Sequence, residues 1–161
     1  MRVLINALAI CSIFSMFGLV NAADNEFIEV EKSIEVNVGA EEVWKKIGDF
    51  CAIQDWHPAV SKCEAYDDHG SLYRTLTLAD GGIVSEKHKP AEGNSYSYFI
   101  KKSPFPVKTY KGTLTVEGDG SKATVTWKAR FKAKEAPAEE AKSVIDGVFT
   151  AGIESIQAMF K

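Results

Sequence analysis

The sequence lacks the short motifs that identify several common classes of enzyme. It contains no Gly-x-Ser-x-Gly, no His-Glu-x-x-His, no Gly-x-Gly-x-x-Gly and no phosphate-binding glycine-rich loop before a helix. These absences argue against a serine hydrolase, a zinc peptidase and a nucleotide-binding enzyme. The class of enzyme that remains is a cyclase or dehydratase that moves protons without a cofactor. Glu86 is then the candidate base, and Tyr110 or His57 the candidate acid.

Clusters of lysine and arginine are also absent along the chain. The 19 basic and 22 acidic residues give a formal net charge of −3 at pH 7. A mildly acidic chain without a basic cluster argues against nucleic acid or an anionic membrane surface as a partner.

Long hydrophobic runs are absent except at the N-terminus. Residues 3–20 are almost wholly apolar, one basic residue precedes them, and Val20-Asn21-Ala22 ends in a small residue suited to signal peptidase. The pattern predicts a signal peptide over residues 1–22 and export to the periplasm or beyond. Residues 23–161 are then the mature chain, long enough for one domain and too short for two.

Two other interpretations of this N-terminal run remain open. A retained membrane anchor would normally have basic flanks and a longer uninterrupted apolar stretch. A lipoprotein site at Cys11 would follow Ile10, which is a poor residue at that position, and the apolar run continues past it.

Cysteine is scarce, and the mature chain would keep only Cys51 and Cys63. An even pair in an oxidising compartment predicts a disulfide. Two free buried thiols are one alternative. A metal site that includes His57, midway between the cysteines, is another, although its spacing matches no common zinc motif.

The longest helical pattern covers Pro137 to Phe160. Apolar residues recur there at intervals of three and four, which predicts one buried face. Gly147 and Gly152 interrupt the pattern near Ala151, and each costs about 1 kcal/mol relative to alanine. Two interpretations follow: the helix packs closely on a sheet, or it forms the wall of a cavity.

The rest of the chain reads as strands separated by turn residues, with two short helices after the first strand. One helix is predicted over Glu41–Ile47, and a further helical turn within residues 49–58. The predicted strands are Phe27–Asn37, Val60–Tyr66, Leu72–Leu78, Ile83–Lys89, Ser95–Lys101, Lys108–Glu117 and Lys122–Lys132. The expected fold is α+β: a seven-stranded curved antiparallel sheet wrapped around the long C-terminal helix, a helix-grip arrangement with room for an apolar pocket.

Several fragments in this order resemble the START-like superfamily, also called the birch-allergen-like or polyketide-cyclase-like (SRPBCC) fold. They are Val43–Phe50, Trp56–Val60, Tyr73–Leu76, Asp80–Gly82, Ser85–Lys87, Pro106 with Tyr110, and Trp127 with Phe131. The resemblance covers essentially all of the mature chain. It is strongest to small exported bacterial members, some of them found with periplasmic methanol-oxidation systems.

A more distant resemblance connects the stretch from Arg74 to Tyr110 with the plant abscisic-acid receptors. By that likeness Asp80-Gly81-Gly82 corresponds to a gate loop and Pro104-Phe105-Pro106 to a latch loop, while Glu86 and Tyr110 correspond to residues that face the pocket. The receptors' Ser-Gly-Leu-Pro-Ala and His-Arg-Leu motifs are missing here. The likeness therefore implies a gated pocket and not hormone sensing.

The candidate ligand-binding residues combine apolar rings with a few polar groups. Val84, Glu86 and His88 share one strand face, and Arg74 on the preceding strand is the expected partner of a buried Glu86. That pair is either structural or a polar anchor for a ligand, and a solvated outer face is the other interpretation.

The aromatic candidates divide between the pocket wall and its entrance. They are Tyr98 and Tyr110 in the wall, Trp56 and His57 near the entrance, and Trp127 facing the helix with Phe131. Each is equally interpretable as core, and His57 as a structural histidine whose hydrogen bonds are satisfied.

Three functions are therefore compatible with the sequence. The first is binding of a small apolar or amphipathic molecule, without a cofactor or metal, in a cavity between sheet and helix. The second is a cofactor-free cyclase or lyase in the same pocket. The third is an accessory protein for a periplasmic redox enzyme, which would supply a protein partner.

Overall fold

The computed structural model describes residues 26–161. The predicted signal peptide lies outside these residues. Ten elements follow one another along the described chain: β1 (Ile28–Val36), α1 (Ala40–Ile47), α2 (Ile53–Trp56), β2 (Val60–Asp68), β3 (Ser71–Leu78), β4 (Ile83–Pro90), β5 (Ser95–Lys102), β6 (Val107–Gly118), β7 (Ala123–Ala133) and α3 (Ala138–Met159).

The strands form one antiparallel sheet in the order β1-β7-β6-β5-β4-β3-β2. Strands β2 to β7 pair consecutively, as their short turns predict. Strand β1 pairs with β7, from Ile28 opposite Phe131 to Val36 opposite Ala123. The connection from β1 through the two short helices therefore spans the sheet from one edge to the other. The predicted α+β helix-grip fold is confirmed.

Strand β7 shows how the sheet separates its two faces. Val125, Trp127 and Phe131 are buried, whereas Lys128 and Arg130 between them are exposed. Alternate side chains of a strand point to opposite faces. One face, here called the inner face, therefore packs on α3 and holds the core, and the other, the outer face, meets solvent.

Helix α3 begins and ends within one residue of the predicted bounds. Glu139 and Glu140 occupy its first turn, where negative charge complements the helix dipole. Its buried side is formed by Ala141, Ile145, Phe149, Gly152, Ile153 and Ile156. Among residues 26–161, no helix is both long and apolar enough to cross a bilayer.

The helix does not cover the inner face evenly. Its main contacts are with β1, β7 and α2. The inner faces of β3, β4 and β5 are not among the main contacts of α3. The space between those strands and α3 is the cavity described next.

Candidate functional site

A cavity of about 270 Å³ lies between the sheet and α3. Most of its wall is apolar. The apolar lining residues are Ile53, Ala59, Val60, Leu76, Leu78, Ala79, Val84, Ile100, Phe105, Ile145, Val148 and Phe149. Side chains with polar atoms also line it, namely His57, Asp80, Glu86, Tyr98, Tyr110 and Trp127. A concave, largely apolar site with a few polar groups is the usual form of a small-molecule site.

Glu86 and Arg74 form a buried ion pair beside this cavity. They stand opposite each other in the β3–β4 hairpin, and Arg74 Nε donates to Glu86 Oε2 over 2.5 Å. Both side chains are almost fully buried. Burial alone would lower the pKa of Arg74, but the facing Glu86 carboxylate raises it, so the guanidinium stays charged.

The arginine is held on its other sides by Phe50. The guanidinium lies 4.0 Å from the centre of the Phe50 ring, and Nη1 donates to the Phe50 carbonyl oxygen. Arg74 does not itself line the cavity. Its contacts instead hold Glu86, which does, in one position. Phe50 was not predicted as a site residue, because its contribution comes partly from its backbone.

Tyr98, Tyr110 and Trp127 form a hydrogen-bonded group in the cavity wall. Trp127 Nε1 donates to the Tyr98 hydroxyl over 2.9 Å, and the hydroxyls of Tyr98 and Tyr110 are 3.3 Å apart. Burial raises the pKa of both tyrosines above its ordinary value of 10. Both are therefore neutral phenols near neutral pH. Because Tyr98 oxygen already accepts from Trp127, its own proton can go to Tyr110, whose proton is then available to a ligand.

Tyr110 continues the inward-facing series of β6, and a β-bulge lies directly before it. Gly112, Leu114 and Val116 are buried at alternate positions, and Tyr110 keeps the same phase. Lys108 pairs with Lys132 but Lys111 pairs with Arg130, so β6 contains one extra residue at this point, where Thr109 adopts a φ of 52°. The bulge reverses the alternation on its N-terminal side, so Val107 is buried as well as Tyr110.

His57 uses both ring nitrogens to join α2 to α3. Nδ1 accepts from the Ala59 amide over 3.1 Å, and Nε2 is 3.0 Å from the carbonyl oxygen of Val148. A neutral ring with its proton on Nε2 satisfies both bonds. Burial lowers the pKa of His57 below 6.5; the bond to Val148 opposes this, and the charge of Arg74 adds to it. These contacts favour the structural interpretation over a catalytic acid.

We predict that the protein loses stability as the pH falls below about 6.5. The unfolded chain then binds a proton at His57 that the folded chain excludes, so the free energy of unfolding falls until the pH reaches the lowered folded pKa. Burial and Arg74 also lower the pKa of His88, which adds to the loss. Urea unfolding from pH 8 to pH 5 measures it. The His57→Gln variant should be less stable than the unchanged protein at pH 8, but its free energy of unfolding should change less with pH. An equally steep pH dependence in the two proteins would contradict the prediction.

The family of the chain follows from a comparison with known proteins. Residues 28–161 match the model of the family described as polyketide cyclase / dehydrase and lipid transport. The chain belongs to this family. The predicted START-like membership is thereby confirmed.

Solved structures of the polyketide cyclase/dehydrase fold superpose on most of this chain. The protein XoxI from Bacillus cereus is 29% identical, with a TM-score of 0.74 over 82% of this chain and 94% of its own. The aromatase/cyclase Zhui from Streptomyces sp. R1128 is 15% identical, with a TM-score of 0.70 over 83% and 93%. Norcoclaurine synthase from Thalictrum flavum is 17% identical, with a TM-score of 0.66 over 96% and 98%. No curated protein matches the sequence. The likeness to plant hormone receptors stays a prediction.

The loop likened to a gate, Asp80-Gly81-Gly82, and the loop likened to a latch, Pro104-Phe105-Pro106, lie close together. A Cβ placed on Gly82 would lie 3.3 Å from Pro104 Cγ. Asp80 and Phe105 line the cavity, whereas Gly81, Gly82, Pro104 and Pro106 do not. The loops therefore meet beside the cavity, with one side chain from each directed to it.

Helix α3 lines the cavity through Ile145, Val148 and Phe149, but not through its glycines. A Cβ on Gly152 would lie 2.7 Å from Trp127 Cζ3 and 2.8 Å from His57 Cδ2, so this glycine is closely packed. Gly147 is exposed, and a Cβ there would meet nothing within 4 Å. The interpretation of the helix as a cavity wall is therefore confirmed, but the expectation that its glycines make room for the cavity is wrong. Gly152 instead admits the ring of His57 to the helix backbone.

Trp56 is buried next to the cavity without lining it. The centre of its ring is 5.4 Å from the centre of the Trp127 ring, and the two rings are nearly perpendicular. The centre of the His57 ring is 5.7 Å away. Its Nε1 has no hydrogen-bond partner within residues 26–161. Of the seven predicted ligand-binding residues, Glu86, Tyr98, Tyr110, His57 and Trp127 meet at the cavity, and Arg74 and Trp56 lie one layer outside it.

The two α3 glycines provide a matched pair of substitutions. We predict that Gly152→Ala destabilises the protein by about 1–3 kcal/mol, because the added methyl collides with two aromatic rings. Gly147→Ala should stabilise it by roughly 0.5–1 kcal/mol, the ordinary gain for an exposed helical position. Urea unfolding measures both. Equal effects at the two positions would contradict the packing described for Gly152.

Cys51 and Cys63 are joined in a disulfide, with their Cα atoms 5.5 Å apart. The predicted pairing is confirmed, in place of free thiols or a metal site. It connects the segment after α1 to β2. No cluster of three or more metal-binding side chains occurs within the described part of the chain.

Proposed function

We propose that this protein binds a small, largely apolar molecule carrying one hydroxyl or carbonyl group. The observation that supports this most directly is the cavity, where a wall of apolar side chains surrounds the buried Glu86 carboxylate and one pair of phenols, with the exposed Asp80 in the loop beside them. The family to which the chain belongs typically binds hydrophobic ligands. We also propose that the protein acts after export, as its N-terminal sequence predicts.

The polar groups in the wall suit a ligand that both donates and accepts a hydrogen bond. Glu86 offers carboxylate oxygens, and the Tyr98–Tyr110 pair offers one phenol proton. The volume of about 270 Å³ suits a compact ring system and is too small for a long acyl chain. A ligand hydroxyl between Glu86 and Tyr110 would satisfy both sides.

The contacts of the candidate acid and base favour binding over catalysis. Glu86 is already paired with Arg74, both nitrogens of His57 are bonded to backbone, and the pKa of Tyr110 is raised by burial. A proton-transfer enzyme needs groups that exchange protons near the working pH. His57 and Tyr110 are not arranged in that way, and Glu86 is held in its ion pair with Arg74.

Binding of 2-naphthol and naphthalene to the same protein tests this proposal. We expect 2-naphthol to bind several-fold more tightly, because its hydroxyl adds a hydrogen bond worth about 1 kcal/mol. Tyr110→Phe should remove that preference while keeping the ring, and Val148→Phe should weaken both ligands by filling the cavity. Val144→Phe, on the same helix but outside the cavity lining, is the control. Equal binding to Val148→Phe and to the unchanged protein would reject the cavity as the site.

A further inference from the structure

The outer face of the sheet concentrates positive charge contributed by four strands. Strands β4 to β7 carry nine lysine and arginine residues and two glutamates. One glutamate, Glu86, faces inward to Arg74, and the other, Glu117, lies near the far end of β6. Because the cations come from four strands, they form a cluster only after folding. The whole chain is nonetheless acidic.

Six of these cations define what is called here the basic face: Lys87, Lys101, Lys111, Lys128, Arg130 and Lys132. None of them is buried, and each alternates along its strand with inner-face residues. A groove on this face is lined by Lys87, Lys101, Lys111 and Arg130, together with Phe99 and Phe27. The basic face is therefore a concave surface with cations around an apolar centre.

The strand register places like charges directly opposite each other on this surface. Lys111 pairs with Arg130, and Lys108 pairs with Lys132. Like charges opposed across a ladder lower the stability of a sheet. Two glutamates of β1 relieve part of this repulsion, since Glu29 is paired with Arg130 over 3.6 Å and Glu31 lies opposite Lys128 in the register. Six cations share these two carboxylates, and a carboxylate-rich partner would relieve the rest of the repulsion.

The aromatic residues on this face indicate which kind of acidic partner fits. Arg130 lies 3.4 Å and Lys132 lies 4.7 Å from the centre of the Phe27 ring. The Tyr73 ring is stacked on Tyr66, with Lys87 at 5.5 Å from its centre. Phe27 and Tyr66 are exposed, but one face of each ring is already occupied by a cation or by another ring, which makes this surface a poor platform for stacking nucleic-acid bases.

The centre of the groove resembles a protein interface instead. Phe99 is half-buried and lies between Lys87 and Lys111 in the sheet register. An apolar centre with a charged rim is the usual arrangement of such an interface. The surface lacks the broad apolar side that a membrane-surface element buries in lipid.

We propose that the basic face docks an acidic protein surface, recognised through its carboxylates. This inference rests on cations of the outer face, none of which lines the cavity, although the groove and the cavity have Ile100 and Tyr110 in common. Charge complementarity of this kind chiefly accelerates association and makes it sensitive to salt.

Fluorescein-labelled poly-L-glutamate serves as the probe for the acidic surface, with fluorescence anisotropy as the readout at low and at physiological salt. The test variant is Lys101→Glu/Lys111→Glu/Lys128→Glu. The control is Lys62→Glu/Lys142→Glu/Lys161→Glu, which changes the net charge equally at exposed lysines outside the basic face. We expect the test variant to bind at least about tenfold more weakly and the control to bind nearly as the unchanged protein does.

Three results would overturn the proposal. The first is an equal loss of affinity for poly-L-glutamate in both triple variants, which would reflect net charge alone. The second is tighter binding of the unchanged protein to oligo-dT than to poly-L-glutamate. The third is tighter binding to phosphatidylglycerol vesicles than to poly-L-glutamate. Lys111→Glu removes a like-charge pair with Arg130, whereas Lys128→Glu places a glutamate opposite Glu31, so thermal melts of both triple variants accompany the binding measurement to show that each is folded. Lys101→Gln/Lys111→Gln/Lys128→Gln, which neutralises without reversing, should show an intermediate loss.

Discussion

Arg74→Met is expected to destabilise the protein by about 3–5 kcal/mol. The substitution keeps most of the apolar length of the side chain but leaves the Glu86 carboxylate buried without its partner. It also removes the donor to the Phe50 carbonyl and the cation over the Phe50 ring. An uncompensated buried charge costs more than the ion pair itself contributed, so the loss is large.

Two further variants show whether the buried pair affects the stability of the protein more than an exposed ion pair does. In Arg74→Met/Glu86→Leu no charge is left unpaired, and much of the stability should return. Lys122→Met removes one partner of the exposed Lys122–Glu35 pair and should cost less than about 1 kcal/mol. Urea unfolding of all three provides the comparison. If Arg74→Met cost no more than Lys122→Met, the buried pair would not have the role described.

Cys51→Ser/Cys63→Ser is expected to destabilise the protein by about 3 kcal/mol. The disulfide joins residues 12 positions apart, and closing a loop of that length removes entropy mainly from the unfolded chain. Cys51 directly follows Phe50, whose carbonyl and ring hold Arg74. Freeing this segment therefore also loosens the Arg74–Glu86 pair.

A reducing agent distinguishes this effect from damage done by the substitutions. It should lower the stability of the unchanged protein by a similar amount and leave the serine variant unaffected. A reductant that did not shift the unfolding midpoint of the unchanged protein would contradict the prediction. Combined with Arg74→Met, the serine substitutions should cost less than the two separate losses together, because they act on one network.

The features that could be predicted from the sequence are those determined by local periodicity. The bounds of α3 follow from apolar residues every three or four positions, and the strands follow from alternation and turn residues. The Arg74–Glu86 pair was also predictable, because a tight hairpin with known ends places the two residues opposite each other. In each case the interacting residues are close in sequence or share one pattern.

The features that could not be predicted depend on register between distant strands. The bond from Trp127 to Tyr98 joins residues 29 positions apart, and the bulge at Thr109 changes the phase of β6 without a turn residue to mark it. The role of Gly152 depends on two aromatic side chains from other elements. Likewise, the basic face arises only when four strands align. The net charge of −3 for the whole chain gives no sign of this local excess of cations.

The position of Trp127 gives the protein an internal optical reporter. Its indole lines the cavity and is stacked on the Phe149 ring, with the ring centres 4.1 Å apart. Its N–H donates to the hydroxyl of Tyr98. Indole emission changes with the polarity and hydrogen bonding around the ring. A molecule that enters the cavity will therefore alter the fluorescence of Trp127 even if it neither absorbs nor emits light. Since Trp44 does not line the cavity, Trp44→Phe would lower the background without removing the signal, and ligands could be titrated without any label.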